Sequence, residues 1–207
     1  MVIADKIPQK IARVRKPKEI PDALVYEIID GRKLYYKGYK EVLSKKKKIE
    51  DIMGTSGLQS FIIQYLLGIL YRNISLNQYY FLTNEIGTHI EHKTNLSGDI
   101  YIIEKKNLPP TKINNHYIDV PPKIAIEVDI RIDLSDEKDF DYTFTKTNKL
   151  LAFGTEKVIW IFTKTQKVVI ATKDEDWIVR DWNKDVELLD GHLFNIGNYL
   201  KEQGVTV

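Results

Sequence analysis

The chain has 207 residues, of which 43% are hydrophobic and 29% charged, with a net charge of +2 and no cysteine. This length allows one domain with a substantial core, and the composition is that of a soluble globular protein. The lack of cysteine excludes disulfides, thiolate metal sites and cysteine nucleophiles, and it fits a cytoplasmic location. No apolar run reaches the ~20 residues of a membrane span, and the first residues lack the apolar segment of a signal peptide, so we expect no membrane partner.

Basic residues gather in two stretches of the N-terminal part. Residues 1–20 are polar, rich in lysine and arginine and broken by prolines, which predicts a basic, flexible arm. A single domain is then expected over residues 21–207, because the sequence contains no linker and no internal repeat. The second stretch is the lysine run from Lys45 to Lys48. Such clusters are typical of solvated surface, and contact with nucleic-acid phosphates is the alternative interpretation.

Two β-hairpins are predicted, one towards each end of the domain. The dipeptide Asp30-Gly31 joins two aromatic-rich runs and favours a tight turn. Glu27 lies in the first of these runs, and the sequence leaves open whether this is only an edge hairpin or whether Glu27 has an auxiliary role near a functional site. Two alternating runs around Thr165 and Gln166 predict the C-terminal hairpin.

Two helices are predicted from apolar residues at helical spacing. The first begins with a cap at Thr55 or Ser56, and Gln59 lies at the margin of its apolar stripe, either as a core-edge amide or as a residue facing a site. The second runs from Asp139 to Phe153 and is followed by a glycine. Together the elements predict an α/β fold, a mixed sheet flanked by helices with N-terminal and C-terminal β-hairpins.

Two strand-like runs carry acids among their apolar residues. The first, LSGDIYIIEK, contains Asp99, and the second, KIAIEVDI, contains Glu127 and Asp129 on the face opposite to its isoleucines. Carboxylates inside apolar strands are costly unless they are compensated, and a divalent cation is one common compensator. If the two strands pair, Asp99, Glu127 and the backbone carbonyl of Val128 could form an oxygen-only set of ligands suited to magnesium.

The second helix offers a lysine to the same site. On a helical wheel, Lys146 lies inside the apolar sector between Tyr142, Leu150 and Phe153, and Lys149 lies just outside it as an auxiliary candidate. A lysine in a buried stripe either extends its ammonium outwards or points it at compensating acids. Periodicity leaves both interpretations open. In the second case the lysine would hold an attacking hydroxide or stabilise developing negative charge.

The motifs in this order resemble a known family. SGDIYII, then PPKIAIEVD and KTNKLLAFGTEKVIWIFT, together with the earlier YEIIDGRKLYY, resemble the Uma-type restriction endonucleases, a bacterial branch of the PD-(D/E)XK nuclease superfamily. The resemblance is distributed over residues 25–172. It implies a restriction-endonuclease-like core and hydrolysis of DNA phosphodiester bonds that depends on magnesium, with manganese as a substitute.

The resemblance also implies roles for individual residues. Asp99 and Glu127 match the two metal-binding acids, and Lys146 matches the lysine that this branch carries on the helix, counted back from the helix-ending glycine. Gly98 stands where the signature has a proline. Asp129 stands where the wider superfamily has its lysine, and it is kept as an auxiliary candidate.

Other polar residues are weaker candidates. Gln59 stands where the family has a histidine at the start of the long helix, which implies an auxiliary role. Glu85 is either a turn or cap residue or an additional carboxylate for the metal site. His89 and His92, three residues apart in a strand, point to opposite faces, so a shared zinc ion is not expected.

Two functions from different classes follow from the sequence. The first is a magnesium-dependent DNA endonuclease in which Asp99 and Glu127 bind the ion and Lys146 orients the attacking water. The alternative is a catalytically silent module on the same fold that binds nucleic acid or protein. Convergence of the three side chains within reach of one hydrated ion is the geometric requirement of the enzyme hypothesis. Cleavage of both DNA strands by a single active site invites a homodimer, although the sequence contains no interface signal.

Overall fold

A computed structural model describes residues 20–134 and 139–207. The predicted arm over residues 1–20 lies outside this range apart from Ile20. No helix in the described ranges combines the length and the apolar character needed to cross a membrane.

Strands and helices alternate along the described residues. The strands are β1 (Val25–Ile29), β2 (Arg32–Tyr35), β3 (Tyr79–Thr83), β4 (Thr88–Glu91), β5 (Thr94–Leu96), β6 (Ile100–Glu104), β7 (Ile124–Val128), β8 (Lys157–Phe162), β9 (Lys167–Thr172), β10 (Ile178–Asp181), β11 (Val186–Leu189) and β12 (His192–Phe194). The helices are α1 (Tyr39–Leu43), α2 (Glu50–Met53), α3 (Gly57–Asn73), α4 (Asp139–Phe153) and α5 (Ile196–Glu202).

The larger sheet is mixed and positions the acids. Its six strands have the order β10-β9-β8-β7-β6-β3. All neighbours are antiparallel except β7 and β8, which are parallel and are separated in the chain by α4. β6 pairs with β7 so that Ile100 lies opposite Ile126. The start of β6, next to Asp99, therefore lies beside the end of β7, which contains Glu127.

The two faces of this sheet bury two separate cores. Ile124, Ile126 and Val128 of β7 pack on the face that is covered by α3 and α5. Ala125 packs on the opposite face, together with α4 and a smaller sheet. Alternation along the strand thus confirms the two faces predicted for this run, and it directs the side chain of Glu127 towards α4.

The smaller sheet contains the predicted N-terminal hairpin and has the order β2-β1-β5-β4. The run LSGDIYIIEK was expected to be one strand, and that expectation is wrong. It is split between β5 of the smaller sheet and β6 of the larger one, because Gly98 forms two backbone hydrogen bonds with Ile86 between them. A Cβ at Gly98 would overlap the ring of Tyr101. This close approach explains why position 98 is a glycine.

The remaining predicted elements occur with a few changes. Helix α4 has the predicted bounds, and α3 begins at a predicted cap, since the Ser56 hydroxyl accepts the Gln59 N–H. The run KIAIEVDI ends as a strand at Val128, because Asp129 has a positive φ of 60°. The hairpin β11–β12 and the short helices α1 and α2 were not predicted. Asp190-Gly191, in the turn between β11 and β12, is the same turn dipeptide that located the first hairpin.

Candidate active site

Asp99 lies at the point where the chain passes from the smaller to the larger sheet. Its Oδ2 accepts the N–H of Val128 at 2.7 Å. Within residues 20–134 and 139–207, its Oδ1 has a single, long contact of 3.5 Å with Nε2 of Gln59. The side chain is buried, and burial raises its pKa, although the hydrogen bond from Val128 acts in the opposite direction. One carboxylate oxygen is therefore fixed by the backbone, and the other is open to a further ligand.

Glu127 is buried on the α4 side of the larger sheet. Its Oε2 accepts a hydrogen bond from the ammonium of Lys146 at 3.0 Å. Its Oε1 has no hydrogen-bond partner among the described residues. Burial raises the pKa of this carboxyl group to about 8. Lys146 therefore engages one oxygen of Glu127, and a bound cation would supply positive charge to the unpaired one.

Lys146 points its ammonium at the acids and not outwards. The Nζ atom lies 2.8 Å from Oε1 of Glu27 and 3.0 Å from Oε2 of Glu127. The rings of Tyr142 and Trp160 lie beside it, with centroids at 5.9 and 5.5 Å. Burial disfavours the charged ammonium, but the carboxylates of Glu127 and Glu27 outweigh this effect and raise the pKa of Lys146 well above its usual range. Lys146 is thus a buried cation held between two acids from different sheets.

Gln59 faces the same site from the first turn of α3. Its Nε2 donates to the carbonyl oxygen of Val128 at 2.8 Å and lies 3.4 Å from Oδ2 of Asp99. Of the two interpretations left open by the sequence, the structure therefore favours the one in which this amide faces the site. The Val128 carbonyl oxygen has a second lone pair, so this hydrogen bond leaves room for a further ligand.

Two of the auxiliary candidates make contacts outside this cluster. Asp129 accepts the N–H and the hydroxyl of Thr163, both at 2.7 Å, and so ties the residues that follow β7 and β8. Lys149 binds Asp30 at 2.6 Å and Glu91 at 2.7 Å, and it joins the outer part of α4 to the smaller sheet. These contacts give both residues a structural role.

Glu85, the additional carboxylate candidate, forms an ion pair with Arg131 and accepts the hydroxyl of Tyr36 at 3.3 Å. Arg131 also donates to the carbonyl of Met53 at 2.6 Å and lies over the ring of Tyr26, 5.7 Å from its centroid. The sequence analysis did not identify this arginine. No local pattern indicates it, because its partners come from distant parts of the chain.

The ligands available to a metal ion are two carboxylates and a backbone carbonyl. No group of three or more His, Cys, Asp or Glu side chains within residues 20–134 and 139–207 is arranged to hold a metal ion. The open oxygens are Oδ1 of Asp99 and Oε1 of Glu127, since the protein fixes the other oxygen of each carboxylate. Magnesium is commonly bound through one or two carboxylates and keeps several waters. The residues present therefore fit such an ion.

Comparisons with known proteins support the fold. No family model and no curated protein matches the sequence. The structure is similar to the crystal structure of a "putative nuclease belonging to DUF820" from Anabaena variabilis, with a TM-score of 0.61 and 15% sequence identity, covering 84% of this chain and 89% of that one. The likeness establishes the fold. The predicted mixed sheet flanked by helices, of the restriction-endonuclease type, is therefore confirmed, and the resemblance to the Uma-type branch in particular stays a prediction.

Proposed function

We propose that this protein is a magnesium-dependent endonuclease that hydrolyses DNA phosphodiester bonds with a metal-activated water. The main support is one feature of the site. Where β6 begins and β7 ends, Asp99 and Glu127 each keep one oxygen open, and the Lys146 ammonium binds the other oxygen of Glu127. The fold, which is similar to that of a protein described as a "putative nuclease", agrees with this proposal.

Each group has a defined task in the proposed reaction. Asp99, Glu127 and the carbonyl of Val128 would hold magnesium, or manganese in its place. Such an ion, when bound, polarises a phosphate oxygen and lowers the pKa of a water molecule. Lys146 has three N–H donors, two of which are engaged by Glu27 and Glu127. Its third donor would orient the attacking water or stabilise the charge that develops on the phosphate.

A cleft at the end of β7 offers a path for the DNA backbone. It has a volume of about 550 Å³, begins at Asp129 directly after β7, and is also lined by Lys37 and Lys164. The lysines from Lys45 to Lys48 are exposed on a hydrogen-bonded turn. Lysines bind phosphates without regard to sequence, which suits a nuclease of broad specificity. DNA is therefore the proposed partner.

Burial of the site favours a second candidate function. Asp99, Glu127 and Lys146 are only 4%, 2% and 1% exposed, whereas a phosphodiester bond must reach the metal before it can be cut. A protein that keeps this fold but never opens the site would be a silent binding module. It would bind DNA or protein without cleavage and without measurable affinity for magnesium.

Cleavage of plasmid and linear DNA by the purified protein tests the proposal. Wild-type protein should cut with magnesium or manganese and stop with a chelator. Asp99→Asn and Glu127→Gln should lower the rate by at least about a hundredfold while circular dichroism stays unchanged. Glu91→Gln, which removes a surface carboxylate, is the matched control and should cut normally. Cleavage by both site variants at the wild-type rate would refute the assignment.

Calorimetry with magnesium separates the two candidates. The endonuclease should bind the ion, and Asp99→Asn should bind it more weakly. DNA binding with no cleavage and no heat of magnesium binding would instead support the silent module.

A further inference from the structure

The smaller sheet carries Glu27 into the candidate site. Strand β1 has a bulge where it pairs with β2, because Val25 lies opposite Tyr35 whereas Glu27 lies opposite Leu34. A bulge redirects the side chains next to it and is common beside functional sites. Here the side chain of Glu27 is fully buried and contacts α4. The hairpin is thus more than an edge element, because it completes the surroundings of the lysine.

Both oxygens of Glu27 are engaged by donors. Oε1 accepts the ammonium of Lys146 at 2.8 Å and the N–H of Ser97 at 2.9 Å. Oε2 accepts the hydroxyl of Tyr142 at 2.7 Å. A carboxylate with three donors is held in one orientation. Since Tyr142 and Lys146 lie one turn apart on α4, Glu27 fixes the face of the helix that presents the lysine.

We propose that Glu27 is a positioning residue that holds the Lys146 ammonium in the orientation needed for cleavage, an inference that rests on the proposed nuclease function. One hydrogen bond, from Lys146 to Glu127, would leave the ammonium free to turn about that contact. The second contact, to Glu27, removes this freedom and directs the third N–H. Glu27 also supplies a negative partner for the lysine, so that Glu127 can keep its other oxygen open for a metal ion.

Kinetics of Glu27→Gln test this role. The amide has the size of the carboxylate and can still hydrogen-bond to Ser97 and Tyr142, but it lacks the charge that holds Lys146. The single-turnover rate at saturating DNA and magnesium should fall at least about tenfold. The DNA concentration that gives half-maximal rate should stay within about twofold of the wild type, since Glu27 is fully buried and does not line the cleft proposed for DNA. An unchanged single-turnover rate would overturn the proposal.

Two further variants control for folding. Glu91→Gln breaks another ion pair between α4 and the smaller sheet, the one with Lys149, and should leave the rate unchanged. Glu27→Asp keeps the charge but draws it back from Lys146, and it serves as the test if Glu27→Gln does not fold. Its single-turnover rate should lie between those of Glu27→Gln and the wild type. If Glu27→Gln does not fold, the rate of Glu27→Asp should lie below that of the wild type. A rate equal to that of the wild type would contradict the proposal.

A spectroscopic readout keeps this inference separate from the proposed function. With ¹⁵N-labelled lysine, the Lys146 ammonium should give a Nζ–H signal protected from exchange with water, identified by its loss in Lys146→Met. The signal should shift or lose its protection in Glu27→Gln and stay in place in Glu91→Gln. An unchanged signal in Glu27→Gln would overturn the positioning role even if DNA is cut. If wild-type protein cuts no DNA while the signal shifts, the nuclease proposal fails and the contact itself is supported.

Discussion

The free energy of unfolding of the wild-type protein should fall as the pH rises, and replacing Glu127 with glutamine should abolish the part of this fall that Glu127 causes. Burial raises the pKa of Glu127 from the ordinary value of 4.5 to about 8. The folded protein therefore keeps the proton on this group over a range in which the unfolded chain releases it. Because the unfolded state binds fewer protons there, the free energy of unfolding falls between about pH 4.5 and pH 8 and changes little outside that window.

The size of the effect follows from the pKa values. Each unit of difference corresponds to about 1.4 kcal/mol, so raising the pH from about 5 to about 8 should cost the wild type about 3 kcal/mol more than Glu127→Gln. Lys146 stays protonated in this range, because its pKa is raised well above its usual range. Burial also raises the pKa of Asp99, which adds a loss of the same sign. That loss is present in both proteins and cancels in the comparison.

Denaturant unfolding in the presence of a chelator measures this difference. The free energy of unfolding is determined at both pH values for the wild type, for Glu127→Gln and for the surface control Glu91→Gln. Glu127→Gln should gain about 3 kcal/mol relative to the other two proteins at the higher pH. A gap between wild type and Glu127→Gln that stays constant to within about 0.5 kcal/mol would refute the reasoning. Magnesium at pH 8 should restore stability to the wild type more than to the variant.

Three further substitutions test the surroundings of the site by denaturant unfolding. Lys146→Met should cost about 3–5 kcal/mol near pH 8, because it leaves buried carboxylates without their cation, and a loss that does not shrink towards pH 5 would contradict this explanation. Gly98→Ala should cost about 1–3 kcal/mol, because the added Cβ overlaps a buried tyrosine ring. The control Gly68→Ala in α3, where an added Cβ meets no neighbour within 4 Å, should be neutral or stabilising. Equal effects of the two substitutions would refute the steric argument. Thr147→Val should cost about 1–3 kcal/mol, because the indole N–H of Trp160 loses its buried acceptor at 2.9 Å, and magnesium affinity should not change.

Local patterns were sufficient to predict much of the fold. The two faces of β7 follow from alternation, and the bounds of α4 follow from apolar spacing and the glycine at 154. The division between β5 and β6 could not be predicted in this way, since both halves of the run are apolar and extended. It depends on Gly98 pairing with Ile86 and packing on Tyr101, which are tertiary contacts. The turn of β11–β12, in contrast, carried a readable signal in Asp190-Gly191.

The sequence predicted which residues form the candidate site better than it predicted how their side chains are oriented. The wheel located Lys146 in the apolar sector of its helix, but a wheel does not give the direction of an ammonium at the end of a flexible side chain. That direction is set by Glu27, whose approach depends on a bulge in β1 and on the packing of the smaller sheet against α4. Gln59 is oriented in a similar way, by a carbonyl of β7 on the far side of the site. A single sequence does not encode such docking in any local pattern.

The charges around Lys146 explain why two carboxylates remain available for a metal. Glu27 is held by three donors, one of which is the ammonium, so this pair is balanced without help from the remaining acids. Asp99 and Glu127 then form a buried site with up to two uncompensated negative charges. Such a site either takes up protons, as the raised pKa values of both groups indicate, or binds a divalent cation. Protonation and metal binding therefore compete for the same two carboxylates. The pH dependence of the stability of the metal-free protein thus measures the uncompensated negative charge that magnesium would neutralise.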